Sequence, residues 1–448
     1  MILTIAALLA TSQLCQTELT DPGMPAVLPL RQRAALEDRW LKERLDTIVP
    51  ALMRENGVDM WVLVAREYLE DPVVATMLDG ESMHARRRTI LVFHDRGGQM
   101  GVERLTVSRY GLGGLFAPAW DPDAEPDQWQ RLAAIIAARN PKKIALNVSG
   151  LHSFADGLTA SQNDDLRAAL PAKLRGRIVP ADALAIGWLE TRIPAEMAVY
   201  PDIVRNAHAI IAEGLSDRVI TPGLTTTKDV VWWYRERIAG LKLGTWFQPS
   251  VNITRMGADK TLDGDTVIQP GDLLWTDFGI SYLGLNTDTQ HMAYVLKPGE
   301  TDAPAGLKAG LAAANGVQDA LTSSFKVGAP GNDVLAAARA KAIAAGLEPT
   351  IYSHPIGYHG HAAGTPIGMW DNQGPREEGK WPMRANTAWS IELAARAKVP
   401  EWGGQSVSFR LEEDAYFDGN TVRYIDGRQT RFHLLPRSGD SVTACEAK

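Results

Sequence analysis

Apolar positions recur at helical spacing at Leu36, Trp40, Leu45, Ile48 and Leu52, which predicts a helix over residues 33–54 ended by Asn56-Gly57. A continuous apolar run at 60–64 follows, and runs at 89–93, 102–107 and 144–148 predict further strands. Helical stretches at 127–138 and 163–174 flank them. Strands punctuated by helices predict an α/β first domain over 33–182.

The second half, 190–437, opens with a predicted helix over 195–215. Pro222-Gly223 marks a turn, and Thr226 with Asp229 forms a capping box for a helix through Trp232 and Trp233. After Gly244 the pattern shifts to short strands and turns. Gln269-Pro-Gly-Asp272 precedes a strand over 273–278, Gly284 interrupts a hairpin, and a strand returns over 289–296. Helices are predicted over 304–325 and 332–345, no repeat at solenoid spacing is found, and the Gly/Pro-rich stretch 357–384 reads as an ordered loop.

At 448 residues the chain is long for one core, so two domains are expected. A formal charge of -7 argues against a nucleic-acid surface, and no stretch beyond the N-terminus is apolar for long enough to span a bilayer. The apolar start MILTIAALLA, followed by polar residues, predicts an export leader over 1–23, although no Lys or Arg precedes it; an apolar arm or a mis-set start are the other readings. As a signal it implies a periplasmic or secreted protein; if the apolar leader is not a signal, the chain is expected to be cytoplasmic. Cys15, preceded by Leu14, makes a poor lipid-attachment site, and with Cys445 it forms no disulfide framework.

Candidate chemistry concentrates in five side chains, Asp277, Asp288, His354, Glu392 and Glu412. Asp277 ends an apolar strand and Asp288 lies on the return arm of the next hairpin, so strand pairing can bring both to one patch of sheet. A carboxylate can bridge two cations and an imidazole supplies an uncharged ligand, so this donor set suits Mn, Co or Zn. Turn capping by both aspartates is an equally available reading. The stretch from His354 through His359 to His361 holds three of the nine histidines and reads either as a metal site or as a solvated loop. Glu392 follows an apolar run, where an acid is costly to bury unless paired or metal-bound. Glu412, Glu413 and Asp414 form an acidic cluster that reads equally as surface charge, and register alone does not choose a ligand among them.

Taken in order, these motifs resemble the pita-bread metallopeptidases: methionine aminopeptidases, Xaa-Pro aminopeptidases and prolidases. Asp277 and Asp288 match the two hairpin ligands, His354 the metal histidine in an HxxG setting, and His361 the substrate-facing histidine. Glu392 matches the glutamate of the TIEP-like strand, and Arg410-Leu-Glu412 matches the final RxE, which selects Glu412 from the acidic cluster. The resemblance implies an α+β architecture: a C-terminal pita-bread domain with a curved antiparallel sheet and flanking helices, after an α/β creatinase-like domain. It also implies two divalent metal ions, manganese first, with Asp288 and Glu412 bridging them and Asp277 completing one shell. His354 and Glu392 would serve the other ion, with Glu392 also moving a proton. His361 would hold substrate or the tetrahedral intermediate, His359 would shape the rim, and Arg410 would steady the carboxylates. The implied substrate is an Xaa-Pro dipeptide or short peptide, and the implied assembly a homodimer or tetramer.

Three departures from the pattern stand out. Leu393 replaces the usual proline after Glu392, and Thr289-Gln290-His291 replaces a small-polar and arginine pattern. Lys260 falls where a substrate-binding histidine is expected. These leave two other expectations open: hydrolysis of a different amide or ester, or a catalytically weak protein that binds through the same fold. The complete ligand set argues against the non-metal creatinase branch. The 13 tryptophans read as core or interface residues more readily than as cleft lining.

Overall fold

The structure, a computed structural model, describes residues 23–361 and 363–436. Both cysteines and all of the expected leader except Gly23 lie outside the described residues.

Helix α1 (Leu30–Glu55) buries Trp40, Leu41, Leu45, Val49, Leu52 and Met53, a face set by three- and four-residue spacing. It leads into a mixed sheet ordered β4-β3-β2-β1-β5-β6, formed by β1 (Met60–Arg66), β2 (Arg88–Asp95), β3 (Val102–Thr106), β4 (Ala117–Pro118), β5 (Ile144–Leu146) and β6 (Ile178–Pro180). Central β1 is apolar and buried from Met60 to Ala65 because both its faces are covered there. Trp61, Leu63 and Ala65 enter one core with α1, while Met60, Val62 and Val64 enter another with Leu132 and Ile136 of α2 (Gln128–Arg139).

The single helix expected over 163–174 is instead two. Helix α3 (Ala160–Ala169) stops at Leu170, whose backbone is extended before Pro171, and a short turn of helix (Ala172–Arg175) follows. Proline disfavours helical geometry in the residue before it, which accounts for the break. Helix α4 (Asp182–Glu190) packs Leu184, Ala185, Trp188 and Leu189 into the same core as α1, so the first core takes in residues beyond 182.

In the second half, α5 (Tyr200–Gly214) and α6 (Thr227–Gly240) back a four-stranded sheet ordered β16-β9-β8-β7. Its strands are β7 (Ser250–Thr254), β8 (Leu273–Phe278), β9 (Thr289–Val295) and β16 (His433–Leu435). The capping box is present, with the Thr226 side chain accepting from Asp229 N at the start of α6. The helix expected over 195–215 is likewise split, with α5 beginning at Tyr200 and Pro201 in its first turn.

Helices α7 (Ala305–Thr322) and α8 (Gly331–Ala344) cover a larger sheet whose main path is β13-β12-β10-β11-β14-β15. Those strands are β10 (Glu348–Ile356), β11 (Thr387–Ser390), β12 (Leu393–Val399), β13 (Gln405–Leu411), β14 (Asp414–Phe417) and β15 (Val422–Tyr424). Leu307, Leu311, Ala314 and Leu321 of α7 pack on Leu393, Ala395 and Phe409, and burying each leucine stabilises the fold by about 1.5–3 kcal/mol. Close approach requires Gly310, where a Cβ would lie 2.0 Å from the Phe409 ring. A backbone bridge between Gln290 and Glu412 joins the two sheets into one curved surface.

The two halves meet at a buried charge cluster. Arg44 of α1 is fully buried and donates to Glu196 at 3.1 Å, to the Thr191 carbonyl at 2.6 Å and to the Trp188 carbonyl. Tyr358 donates to Glu196 at 2.8 Å, and its ring lies between the guanidinium groups of Arg44 and Arg192. The first domain thereby anchors the loop that carries His359 and His361.

Candidate metal centre

Strand register places the first two acids. Asp277 of β8 lies opposite Gln290 of β9, and Asp288 precedes Gln290 by two residues, so all three share one face. Gln290, rather than Asp288, is thus the direct partner of Asp277. His354 on β10 lies opposite Ser390 on β11, Glu392 sits at the junction of β11 and β12, and Glu412 sits at the junction of β13 and β14.

The fold brings these side chains together. Ligand atoms of Asp277, Asp288 and Glu412 form one cluster within 4.8 Å, and those of His354, Glu392 and Glu412 form another. His354 Nε2 lies 3.7 Å from Asp288 and 4.0 Å from Glu412. Its Nδ1 lies 3.0 Å from the Pro355 carbonyl, which fixes the proton there and leaves Nε2 with its lone pair toward the acids.

Burial makes the cluster electrostatically unbalanced. Burial pushes the Asp277 carboxyl up to about 7, with Arg410 acting in the opposite direction. Glu392 rises to about 8 through burial and the nearby Asp277 charge. Burial drives Asp288 and Glu412 well above the carboxylate range, and the charges of Asp277 and Glu392 raise both further. Asp288 also raises Glu412, whereas the hydrogen bond with Glu412 acts on Asp288 in the opposite direction. Burial also lowers His354 to about 3, which keeps the imidazole neutral and fit to ligate. Asp277 Oδ1, Asp288 Oδ1 and His354 Nε2 are all buried and make no hydrogen bond within the protein. Buried polar atoms are nearly always satisfied, so this convergence of lone pairs fits cations, and the donors suffice for two.

Surrounding residues hold the acids in place. Gln290 Nε2 donates to Glu392 at 2.7 Å and to Glu412 at 2.6 Å. Its carbonyl accepts from Trp275 Nε1 at 2.9 Å, while Trp370 Nε1 donates to Glu392 at 2.9 Å. The same two indoles sandwich Arg410, whose guanidinium lies 4.6 Å from each ring centre. Ser390 Oγ donates to Glu412, and Asp414 accepts from the Asp288 backbone N–H at 3.3 Å. The acidic triplet is thereby divided: Glu412 faces the cluster, Asp414 steadies Asp288, and Glu413 points to the reverse side toward His208 and His291.

His361 lies at the rim, its ring 5.0 Å from that of His354 and 4.8 Å from that of Trp246. His359 packs on Phe154 of the first domain, and both histidines line a cavity of about 260 Å³ with Phe154, Tyr352, Met369 and Arg376. Lys260 is exposed in the loop after β7; Ser250, ten positions earlier, is the residue opposite Asp277. The residues that sequence reasoning missed are Trp275, Trp370, Ser390 and the part played by Gln290. Only Gln290 left a signal, as a departure from the family pattern.

Residues 202–418 match Metallopeptidase family M24. No curated protein matches the chain. Among solved structures, the chain is similar to an X-Pro aminopeptidase from Thermotoga maritima, with 16% identity, 86% of this chain and 99% of that one covered, and a TM-score of 0.60. A dipeptidase from Pyrococcus horikoshii gives 16% identity, coverage of 88% and 99%, and a TM-score of 0.58. The dipeptidase PepE from Mycobacterium ulcerans gives 20% identity, coverage of 90% and 99%, and a TM-score of 0.55. The acids and histidine converge within the residues that match Metallopeptidase family M24, and the chain shares the fold of these solved structures.

Proposed function

We propose that the protein is a manganese-dependent hydrolase that cleaves the Xaa-Pro amide bond of dipeptides or short peptides at their N-terminus. The observation that carries this reading is the meeting of four high-pKa carboxylates with unpartnered atoms of Asp277, Asp288 and His354. Asp277, Asp288 and Glu412 would hold one cation, and Asp288, His354, Glu392 and Glu412 the other. An oxygen-rich donor set favours manganese over metals that prefer sulfur or several imidazoles. When bound, such ions lower the pKa of a water and polarise a carbonyl.

The chain's own residues do the rest. Glu392, oriented by the N–H groups of Trp370 and Gln290, takes the proton of the attacking water and passes it to the leaving nitrogen. His361 donates a hydrogen bond to the carbonyl oxygen as charge develops there. Arg410, held between Trp275 and Trp370, tempers the repulsion among the acids. The small cavity roofed by Phe154 of the first domain favours a compact residue and a short chain.

Purified protein loaded with manganese, given Xaa-Pro dipeptides, longer Xaa-Pro peptides and matched Xaa-Ala peptides, tests this. Preferential cleavage of the proline series is expected. Equal or faster turnover of the alanine series rejects the substrate assignment.

A further inference from the structure

Side chains alternate along a strand, so the neighbours of the metal ligands point to the other side of the same surface. Asp288, Gln290 and Glu412 face the carboxylate cluster, whereas His291 and Glu413 face away from it and meet His208 of α5. Ligand atoms of His208, His291 and Glu413 lie within 4.8 Å of one another. Glu413 is fully buried, with one carboxylate oxygen 3.1 Å from His208 Nε2 and the other 3.0 Å from His291 Nε2.

The outer nitrogens of both imidazoles are also held. His208 Nδ1 lies 3.1 Å from Asp426, which Arg205 braces at 3.0 Å. His291 Nδ1 lies 3.2 Å from His433 Nε2. Ligating histidines characteristically use the second ring nitrogen in this way, with a carboxylate or other acceptor fixing the tautomer and aiming the first nitrogen at the ion. Two imidazoles and one carboxylate, with a fourth position left for solvent, make a donor set that zinc accepts in tetrahedral geometry. The main centre, by contrast, is carboxylate-rich. His208 and Asp426 are each partly exposed, which gives an ion a path from the surface.

We propose that His208, His291 and Glu413 form a third metal site, selective for zinc or a similar imidazole-preferring ion, on the reverse face of the strands that carry the catalytic ligands. Its proximity through Glu412-Glu413 makes it a brace for the main centre. A proton is the competitor for these nitrogens: against the effect of burial, the hydrogen bonds with Asp426 and Glu413 raise His208 to about 10. The ion must displace that proton, so binding is to be compared from neutral pH up to about pH 10.

The test is metal stoichiometry of the chelator-stripped full-length protein, titrated with zinc ion alone and measured by calorimetry and elemental analysis after desalting. Three equivalents are expected for the wild type and two for His208→Gln. Asp426→Asn, which keeps all three ligands, should weaken the third equivalent about ten- to a hundredfold. If His208→Gln fails to fold, Asp426→Asn decides the outcome. A wild-type total of two that is unchanged in His208→Gln overturns the site, as does a third equivalent indifferent to Asp426→Asn. The catalytic reading fails separately, in a wild type that holds one equivalent and loses it with His208.

Discussion

Gln290 and Glu412 are paired twice: their backbones exchange hydrogen bonds at 3.0 and 3.2 Å, and the Gln290 side-chain amide donates to the Glu412 carboxylate at 2.6 Å. The same amide nitrogen reaches Glu392 at 2.7 Å, so one neutral group links acids from two strand junctions. Removing it should leave those carboxylates to repel. Gln290→Ala is expected to weaken metal binding about ten- to a hundredfold with little change in secondary structure. Calorimetric titration with manganese checks this, and unchanged affinity would show that the amide does not organise the centre.

Asp277, Asp288, His354, Glu392 and Glu412 supply donors for both proposed cations without His361. His361 stands at the rim, with its ring against that of His354 and a ring nitrogen within 4.8 Å of ligand atoms of Asp288 and His354. His361→Ala should therefore keep its metal and lose about 10²–10³ in kcat, the usual loss for one donor to a developing oxyanion. Elemental analysis alongside steady-state kinetics separates the two roles. Loss of metal in a folded variant would place His361 among the ligands.

The metal-free protein should lose stability as pH rises. Asp277, at about 7, and Glu392, at about 8, hold their protons in the fold well above the pH at which the unfolded chain releases them. Between roughly pH 4.5 and 8 the unfolded state therefore binds fewer protons, and the folding free energy declines with rising pH. Bound cations favour the ionised acids and should reverse the trend. Melting curves with and without manganese should diverge toward alkaline pH; parallel curves would mean that these acids are not the ions' ligands.

Arg44→Ala should strand the buried Glu196 charge between the two halves. A loss of about 3–5 kcal/mol in denaturant unfolding is expected, the usual cost of breaking a buried pair from one side. A loss below about 1 kcal/mol would show that Arg192 alone satisfies Glu196.

The order of strands and helices was legible because each carries its own period: the apolar run of β1 and the spaced leucines of α7 announce their elements locally. Errors fell where a proline cut a helix, at Leu170-Pro171 and near Pro201. The five side chains that converge in the candidate metal centre were legible through their ordered motifs, not through spacing alone. The supporting shell was not, because Trp275, Trp370 and Ser390 act through partners 15 to 22 positions away. Nothing local distinguishes such a tryptophan from a core residue. His208 meets Glu413 across 205 positions, beyond the reach of any local pattern.

The central claim is that Asp277, Asp288, His354, Glu392 and Glu412 together hold two divalent cations. Anomalous diffraction from crystals loaded with manganese tests it most directly. Two peaks among these five side chains, about 3.5–4 Å apart, are predicted. A loaded crystal without manganese between these residues would contradict the account.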